Sequence, residues 1–319
     1  MKYYLAPLEG VTNLYVRRLL DKYFTGIDKY YIPFLNPTSY SIKSKEIKEI
    51  DPQNNKVSPK VVPQIISKDS SNTIWLIKEL EKLGYDEINL NFGCPSKTVT
   101  PKGKGAGMLL DLEYLDKYLN DVFSNTNIKI SIKMRLGLHD TSNFFEVIKI
   151  LNKYNVYELI IHPRIANDFY KGNLRLDMLD NLDKLTKIDI IYNGECNSHE
   201  DIEYIKNRFP YVKGIMMGRG FLYRPFIFNP DTSISTIREL VKGFYFSLEK
   251  ENIEVFGWGT SKLFLKQILS YLIKSFDVDK KLLKKLFKAN TEEELNSCAL
   301  KIFNECNILD EEMGINKFI

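Results

Sequence analysis

The sequence predicts an α/β fold: a (β/α)8 TIM barrel followed by a smaller all-α C-terminal domain. Three observations carry the prediction. Eight short runs rich in Ile, Val, Tyr and Leu, each bounded by Gly, Pro, Asn or Asp, are spread over about 230 residues. Segments of helical periodicity separate them, the alternation from which eight parallel strands close on themselves. Polar residues foreign to a scaffold stand at the C-terminal end of seven of the eight runs, the rim where barrel active sites lie. No G-x-G-x-x-G follows the first run, which argues against an open doubly wound sheet.

In chain order, strands are expected at 3–6, 28–33, 61–66, 86–91, 128–134, 157–162, 188–192 and 213–217. The first clear helix covers 70–83, with Ile74, Ile77, Leu80 and Leu83 along one side. Ser70 and Ser71 suit its N-cap, and Gly84 suits the position just past its end. Further helices are expected at 111–123, 143–153 and 198–208. The last opens on Ser198 followed by two acids, which suit the positive end of a helix dipole. The proline-containing stretch PFIFNPDTSIS reads as a linker. Helices at 236–250, 261–276, 278–288 and 291–306 follow, dividing the chain into a barrel over 1–232 and a helical domain over 233–319.

Composition narrows the class. The 319 residues are 44% hydrophobic and 27% charged, as in a globular protein of about two domains. No run of about 18 apolar residues is present and the first twenty residues carry no signal-like core, so a cytoplasmic protein with no membrane partner is expected. Four cysteines without C-x-x-C and three histidines without H-E-x-x-H argue against disulfides and metal. A net charge of +4 identifies no nucleic-acid binder, but its distribution is uneven. Residues 262–288 hold eight lysines against two aspartates, with Lys262, Lys266 and Lys274 opposite the apolar face of their helix and Lys281 and Lys285 in the next one. Residues 291–319 hold seven acids and two lysines.

Chemistry collects on the rim: Pro7, Leu8 and Glu9 after the first strand, Gln64 in the third, and Asn91 to Cys94 after the fourth. Lys133 and Arg135 end the fifth strand, His162 and Arg164 follow the sixth, Asn193, Gly194 and Glu195 the seventh, and Gly218 and Arg219 the eighth. Glycines beside an arginine after the last strand fit a phosphate, because bare backbone approaches closely and guanidinium forks onto oxygens. Lys133 over a barrel mouth serves a Schiff base, an anionic substrate or charge on a cofactor, and its neighbours favour an electron-rich heteroaromatic ring. Cys94 lies in a turn between Gly93 and Pro95 that exposes a thiol to act as proton donor or nucleophile, and Gly103, Gly105 and Gly107 lend the following loop flexibility. Cys196, Cys298 and Cys306 read as buried and inert.

Taken in order, PLEGVTN, VVPQI, LNFGCPSKTVTPKGKGAGMLL, KMRLG, HPR, NGE and MGRG resemble the tRNA-dihydrouridine synthases over residues 4–226. The resemblance implies an FMN-dependent barrel with a helical RNA-binding domain, in which NADPH reduces the flavin and a hydride passes from N5 to C6 of a uridine in tRNA. It implies Cys94 as the acid that protonates C5. Pro7, Leu8 and Glu9 match the segment along the flavin, and Gln64 and Lys133 its polar edge. His162, Asn193, Gly194, Glu195, Gly218 and Arg219 match the ribityl-phosphate side, while Asn91 and Arg135 match residues facing the base, with Arg164 expected beside them. HPRI replaces the commoner HGRT of the family. The tail lysines are expected on RNA phosphates, and a single barrel with a polarised appendage is expected to be a monomer. Alternatives are the same reduction on rRNA, a flavin barrel of the dihydroorotate dehydrogenase type acting on a small molecule, a Schiff-base lyase using Lys133, and a non-catalytic RNA-binding module.

Overall fold

The computed structural model describes residues 1–228 and 232–309. Eight parallel strands close into a barrel: β1 (Lys2–Leu5), β2 (Lys29–Leu35), β3 (Lys60–Ile65), β4 (Glu87–Phe92), β5 (Lys129–Arg135), β6 (Val156–His162), β7 (Asp189–Tyr192) and β8 (Gly214–Met217), with β8 pairing back onto β1. Each lies within about two residues of its expected bounds, the ordinary scatter of element ends.

Side chains alternate along a strand, so one parity of every strand points into the barrel. The lowest inward layer is ionic. Lys29 Nζ donates to both oxygens of Glu87 (3.0 and 2.9 Å) and to Glu158 Oε2 (2.8 Å), and Tyr4 Oη donates to Glu158 Oε1 (2.7 Å). Tyr31, Val62, Ile160, Ile191 and Met216 pack the middle, making the barrel a solid core rather than a pore. Two positions further along their strands come Gln64, His162 and Asn193, which floor the cavity described below.

The helices around the barrel are α1 (Leu14–Tyr23), α2 (Ser44–Ile50), α3 (Ser70–Lys82), α4 (Leu112–Ser124), α5 (Phe144–Leu151), α6 (His199–Arg208) and α7 (Arg219–Tyr223). Asp69, rather than Ser70 or Ser71, caps α3: its carboxylate accepts the Asn72 N–H at 2.8 Å, and a carboxylate suits the dipole better than a hydroxyl. Gly84 does take the left-handed turn beyond α3 (φ 92°), and Ser198 caps α6 in a reciprocal box with Asp201. Three short 3-10 turns connect β6 to β7, with no α-helix among them.

The helical part starts at Ile234. The two helices expected at 236–250 and 261–276 are both present within α8 (Ile234–Leu272), which breaks at Gly257, where the backbone is not helical (φ 73°, ψ 160°). Buried side chains bridge the break: Asn252 Nδ2 donates to Leu248 O (2.9 Å), and Ser261 Oγ donates to Asn252 O (3.0 Å). The Ser261 bond ties the second of these helices to the first across the break. The helices α9 (Lys280–Lys288) and α10 (Glu292–Glu305) complete the tail. Against α1, Arg18 pairs with Glu251 (2.5 Å), Tyr23 Oη bonds Ser247 Oγ (2.7 Å) and Phe24 meets Phe244 at 5.8 Å. Residues 229–231 of the expected linker and 310–319 of the acidic tail lie outside the described residues.

Candidate active site

A cavity of about 310 Å³ opens at the C-terminal rim, within the size range of small-molecule sites. Its lining contains Pro7, Leu8, Glu9, Gln64, Asn91, Cys94, Lys133, Arg135, His162, Asn193, Gly194, Glu195, Gly218 and Arg219, so residues from seven separated strand ends converge on one space. Arg164 is the expected site residue outside the lining. It is fully buried behind the wall, where Nη1 donates to Glu195 Oε1 (3.0 Å) and Nε to Gly172 O (2.6 Å). The lining also includes Phe34, Tyr170, Gln267 and Tyr271, none of them expected from the sequence. Gln267 and Tyr271 stand on α8, so the helical tail supplies part of the cavity wall.

Amides organise the side that carries the thiol. Asn91 Nδ2 donates to Gln64 Oε1 (2.8 Å), and Gln64 Nε2 donates to Asn89 Oδ1 (2.7 Å). Asn91 Oδ1 accepts the N–H groups of Gly93 (3.0 Å) and Cys94 (2.8 Å), which pins the turn that presents the thiol. Burial pushes the Cys94 thiol above its ordinary value, and Glu9 adds to this. The Ser96 N–H, Arg135 and Lys133 oppose it without prevailing. The group is a thiol at neutral pH, able to give a proton.

The loop after Cys94 is packed rather than flexible. Gly105 has φ 57°, and a Cβ there would lie 2.8 Å from Cys94 O and 2.9 Å from Cys94 Cβ; one at Gly107 would lie 2.5 Å from Thr100 O. These glycines permit close backbone approach, and Gly105 to Leu109 are all buried. Gly105→Ala is therefore expected to displace Cys94 and cost about 1–3 kcal/mol of stability, read from the denaturant midpoint together with slower thiol labelling or its loss of pattern. An unchanged midpoint and unchanged labelling would refute this account of the loop.

Cations gather around the rest of the cavity. Lys133, partly buried and without a hydrogen bond to any described residue, has its pKa lowered to about 7 by burial and by Arg135. Burial likewise lowers Arg135, to about 10, leaving it charged at neutral pH; its Nη1 donates to Ile165 O (3.0 Å). His162 is held neutral by burial and by Arg135, Lys133, Arg164 and Arg219. Because guanidinium only donates, the 3.3 Å contact from Arg164 Nη1 makes His162 Nε2 the acceptor and places the ring proton on Nδ1. Glu195 Oε1 accepts from Arg219 Nη2 (2.7 Å) as well as Arg164. The guanidiniums of Arg219 and Arg135 lie over the Tyr170 ring at 4.4 and 5.4 Å.

Among the tail lysines, Lys274, Lys281 and Lys285 are exposed and Lys262 and Lys266 half-buried. Lys266 Nζ donates to Phe287 O (2.9 Å) in the last turn of α9, where a cation complements the helix dipole.

Comparisons with known proteins find relatives of the whole barrel. The model of the family described as dihydrouridine synthase (Dus) matches residues 4–295. Similar proteins include tRNA-dihydrouridine synthase B of Pasteurella multocida (strain Pm70), 26% identical over 227 residues that cover 71% of this chain and 67% of that one. A probable tRNA-dihydrouridine synthase of Helicobacter pylori (strain ATCC 700392 / 26695) is 30% identical over 239 residues, covering 70% and 68%. A tRNA-dihydrouridine(16) synthase of Ralstonia nicotianae (strain ATCC BAA-1114 / GMI1000) is 27% identical, covering 70% of each. Two solved structures share the fold alone, each 11% identical over 74% of this chain. They are morphinone reductase, covered to 88% with a TM-score of 0.50, and a variant of NCR from Zymomonas mobilis, covered to 90% with a TM-score of 0.52. Fold, site and family match together define a flavin-dependent oxidoreductase on a (β/α)8 barrel. The chain belongs to the dihydrouridine synthase family.

Proposed function

We propose that this protein reduces a uridine of transfer RNA to 5,6-dihydrouridine, with FMN as bound cofactor and NADPH as reductant. The observation that carries the reading is a protonated thiol sharing one cavity with an arginine and glycine-rich end suited to phosphate.

The residues fit FMN. At Gly220, which also lines the cavity, a Cβ would lie 2.0 Å from Cys196 O, so bare backbone is required at that end. Arg219, Asn193, Gly194 and the Nδ1–H of His162 would hold the phosphate and ribityl chain, with Glu195 and Arg164 bracing Arg219 and His162. Pro7, Leu8 and Glu9 would lie along the ring, and Gln64 and Lys133 would meet its polar edge. When bound, FMN supplies the hydride for C6 of the uracil ring, drawn from NADPH.

The remaining work belongs to the chain. Cys94 gives its proton to C5, so the carbon–carbon double bond takes up one hydride and one proton, and the thiolate left behind regains a proton from solvent. Asn91 fixes the turn that aims the thiol. The Arg135 cation beside Tyr170 faces the base. The uridine must leave its stack to enter, as unpaired loop nucleotides do, while Lys262, Lys274, Lys281 and Lys285 draw in RNA phosphates. The protein acts as a monomer in the cytoplasm.

The purified protein is expected to be yellow, and with NADPH and an unmodified tRNA transcript it should add two hydrogens to one uridine, read by mass spectrometry. A protein that takes up no FMN on reconstitution would end this reading. So would turnover of free pyrimidines with none on RNA.

A further inference from the structure

After β2 the chain doubles back in a two-residue turn. Thr38 and Ser41 form an antiparallel bridge, each donating its N–H to the other's carbonyl (3.0 and 3.1 Å), and Ser41 Oγ donates to Thr38 O at 2.8 Å. Both tip residues have left-handed backbone, Ser39 at φ 50° and Tyr40 at φ 55°. A turn of this hand favours Asn-Gly, and a bulky aromatic side chain is poorly tolerated there. Burial does not offset the strain: Tyr40 is 58% exposed and meets Trp75 of α3 edge-on at 6.3 Å. The tip is nevertheless held in place, because Asn72 Oδ1 accepts the Tyr40 N–H at 2.8 Å. Strain retained at an exposed aromatic ring points to a use outside the fold.

Lysines gather on the loop that is tied to the segment before the tip. Lys104, in the Cys94 loop, donates to Asn36 Oδ1 at 2.7 Å and so ties that loop to the residue two places before Thr38. Lys68 and Lys102 are exposed, and both lie near enough to act on the Lys104 ammonium, which burial first of all pushes below its ordinary value. The adjacent carboxylates are engaged at helix N-termini: Asp69 accepts from Asn72 N–H and Asp111 from Tyr114 N–H (2.9 Å). All these segments follow β2, β3 or β4, which places them on the same rim as the cavity mouth.

We propose that Tyr40 is a stacking platform for an unpaired base neighbouring the target nucleotide, with Lys68 and Lys102 on the adjoining phosphates. The proposal rests on the uridine-reductase reading, which supplies a partner carrying both flat rings and phosphates. An aromatic face flanked by cations holds single-stranded nucleotides without regard to sequence. This contact is separate from the tail lysines and lies beside the loop that carries the thiol.

The test uses the full-length FMN-loaded protein and a transcribed tRNA, with affinity from fluorescence anisotropy at several salt concentrations and Tm from thermal melting. Tyr40→Gly should weaken binding about tenfold and raise KM with kcat kept, while Tm rises because the strain is gone. Tyr40→Trp should keep the affinity. Replacing Lys68 and Lys102 together by alanine should reduce the slope of log affinity against log salt by about two. Unchanged affinity in Tyr40→Gly refutes the platform, as does a loss of affinity that follows a fall in Tm. If the wild-type protein reduces the transcript while these variants match it, this inference alone fails. If the wild-type protein neither binds nor reduces RNA, the uridine reading fails with it.

Discussion

Cys94→Ala lowers dihydrouridine formation by about 10²–10⁴-fold, the usual worth of a positioned general acid, and leaves FMN bound. Retention is expected because Cys94 enters the cavity from the β4 loop, whereas the phosphate-type groups come from β6, β7 and β8. The pH profile separates this role from a merely structural one. The acid must be protonated, and burial raises its pKa above the ordinary thiol value, so the wild-type rate should hold through neutral pH and fall only on the alkaline side, beyond that value. In Cys94→Ala the residual rate should lose this alkaline limb. Full activity in the variant, measured as dihydrouridine per transcript, would move the acid to another group.

Lys133→Met is expected to reduce turnover by about 10²-fold, as does loss of one preorganised charge-stabilising donor elsewhere. The same substitution should stabilise the protein without its cofactor, a change that a packing defect would not produce. The folded pKa of Lys133 is about 7 against an ordinary 10.5. Below pH 7 both folded and unfolded chains hold the proton, and the full cost of burying the charge is present. Between about 7 and 10.5 the unfolded chain binds more protons, so stability rises with pH across that window. Lys133→Met should therefore melt higher than wild type at pH 6, and the difference should shrink toward pH 10. The lysine would then be a charge kept at the expense of stability because the site requires it. Unchanged turnover, or a lower Tm at pH 6, would refute that role.

Much of the barrel was legible because parallel strands covered on both faces read as short apolar runs between turn residues. The inward parity was legible too in IKISIKM, where alternation puts Lys133 on the same side as Ser131 and leads on to Arg135. Helices α1, α2 and α7 went unread. The gap expected between 250 and 261 contains the break at Gly257, whereas the Ser261–Asn252 bond across it joins residues nine apart and gave no local sign. Tyr170 gave no local sign of its place. It stands in an irregular stretch, and its importance comes from guanidiniums on β5 and after β8.

What the sequence determined by itself is the order of the strands and the cast of the rim, because both follow from short-range periodicity and from which residues end each run. Only the folded chain decided how the cast is paired: Glu195 between Arg164 and Arg219, Arg164 behind the wall instead of in it, Asn91 given to the Cys94 turn, and α8 lending Gln267 and Tyr271 to the cavity. The protonation of Lys133, His162 and Cys94 was decided there as well. Burial and field at one atom are set by neighbours from other strands, and no window along the chain contains them.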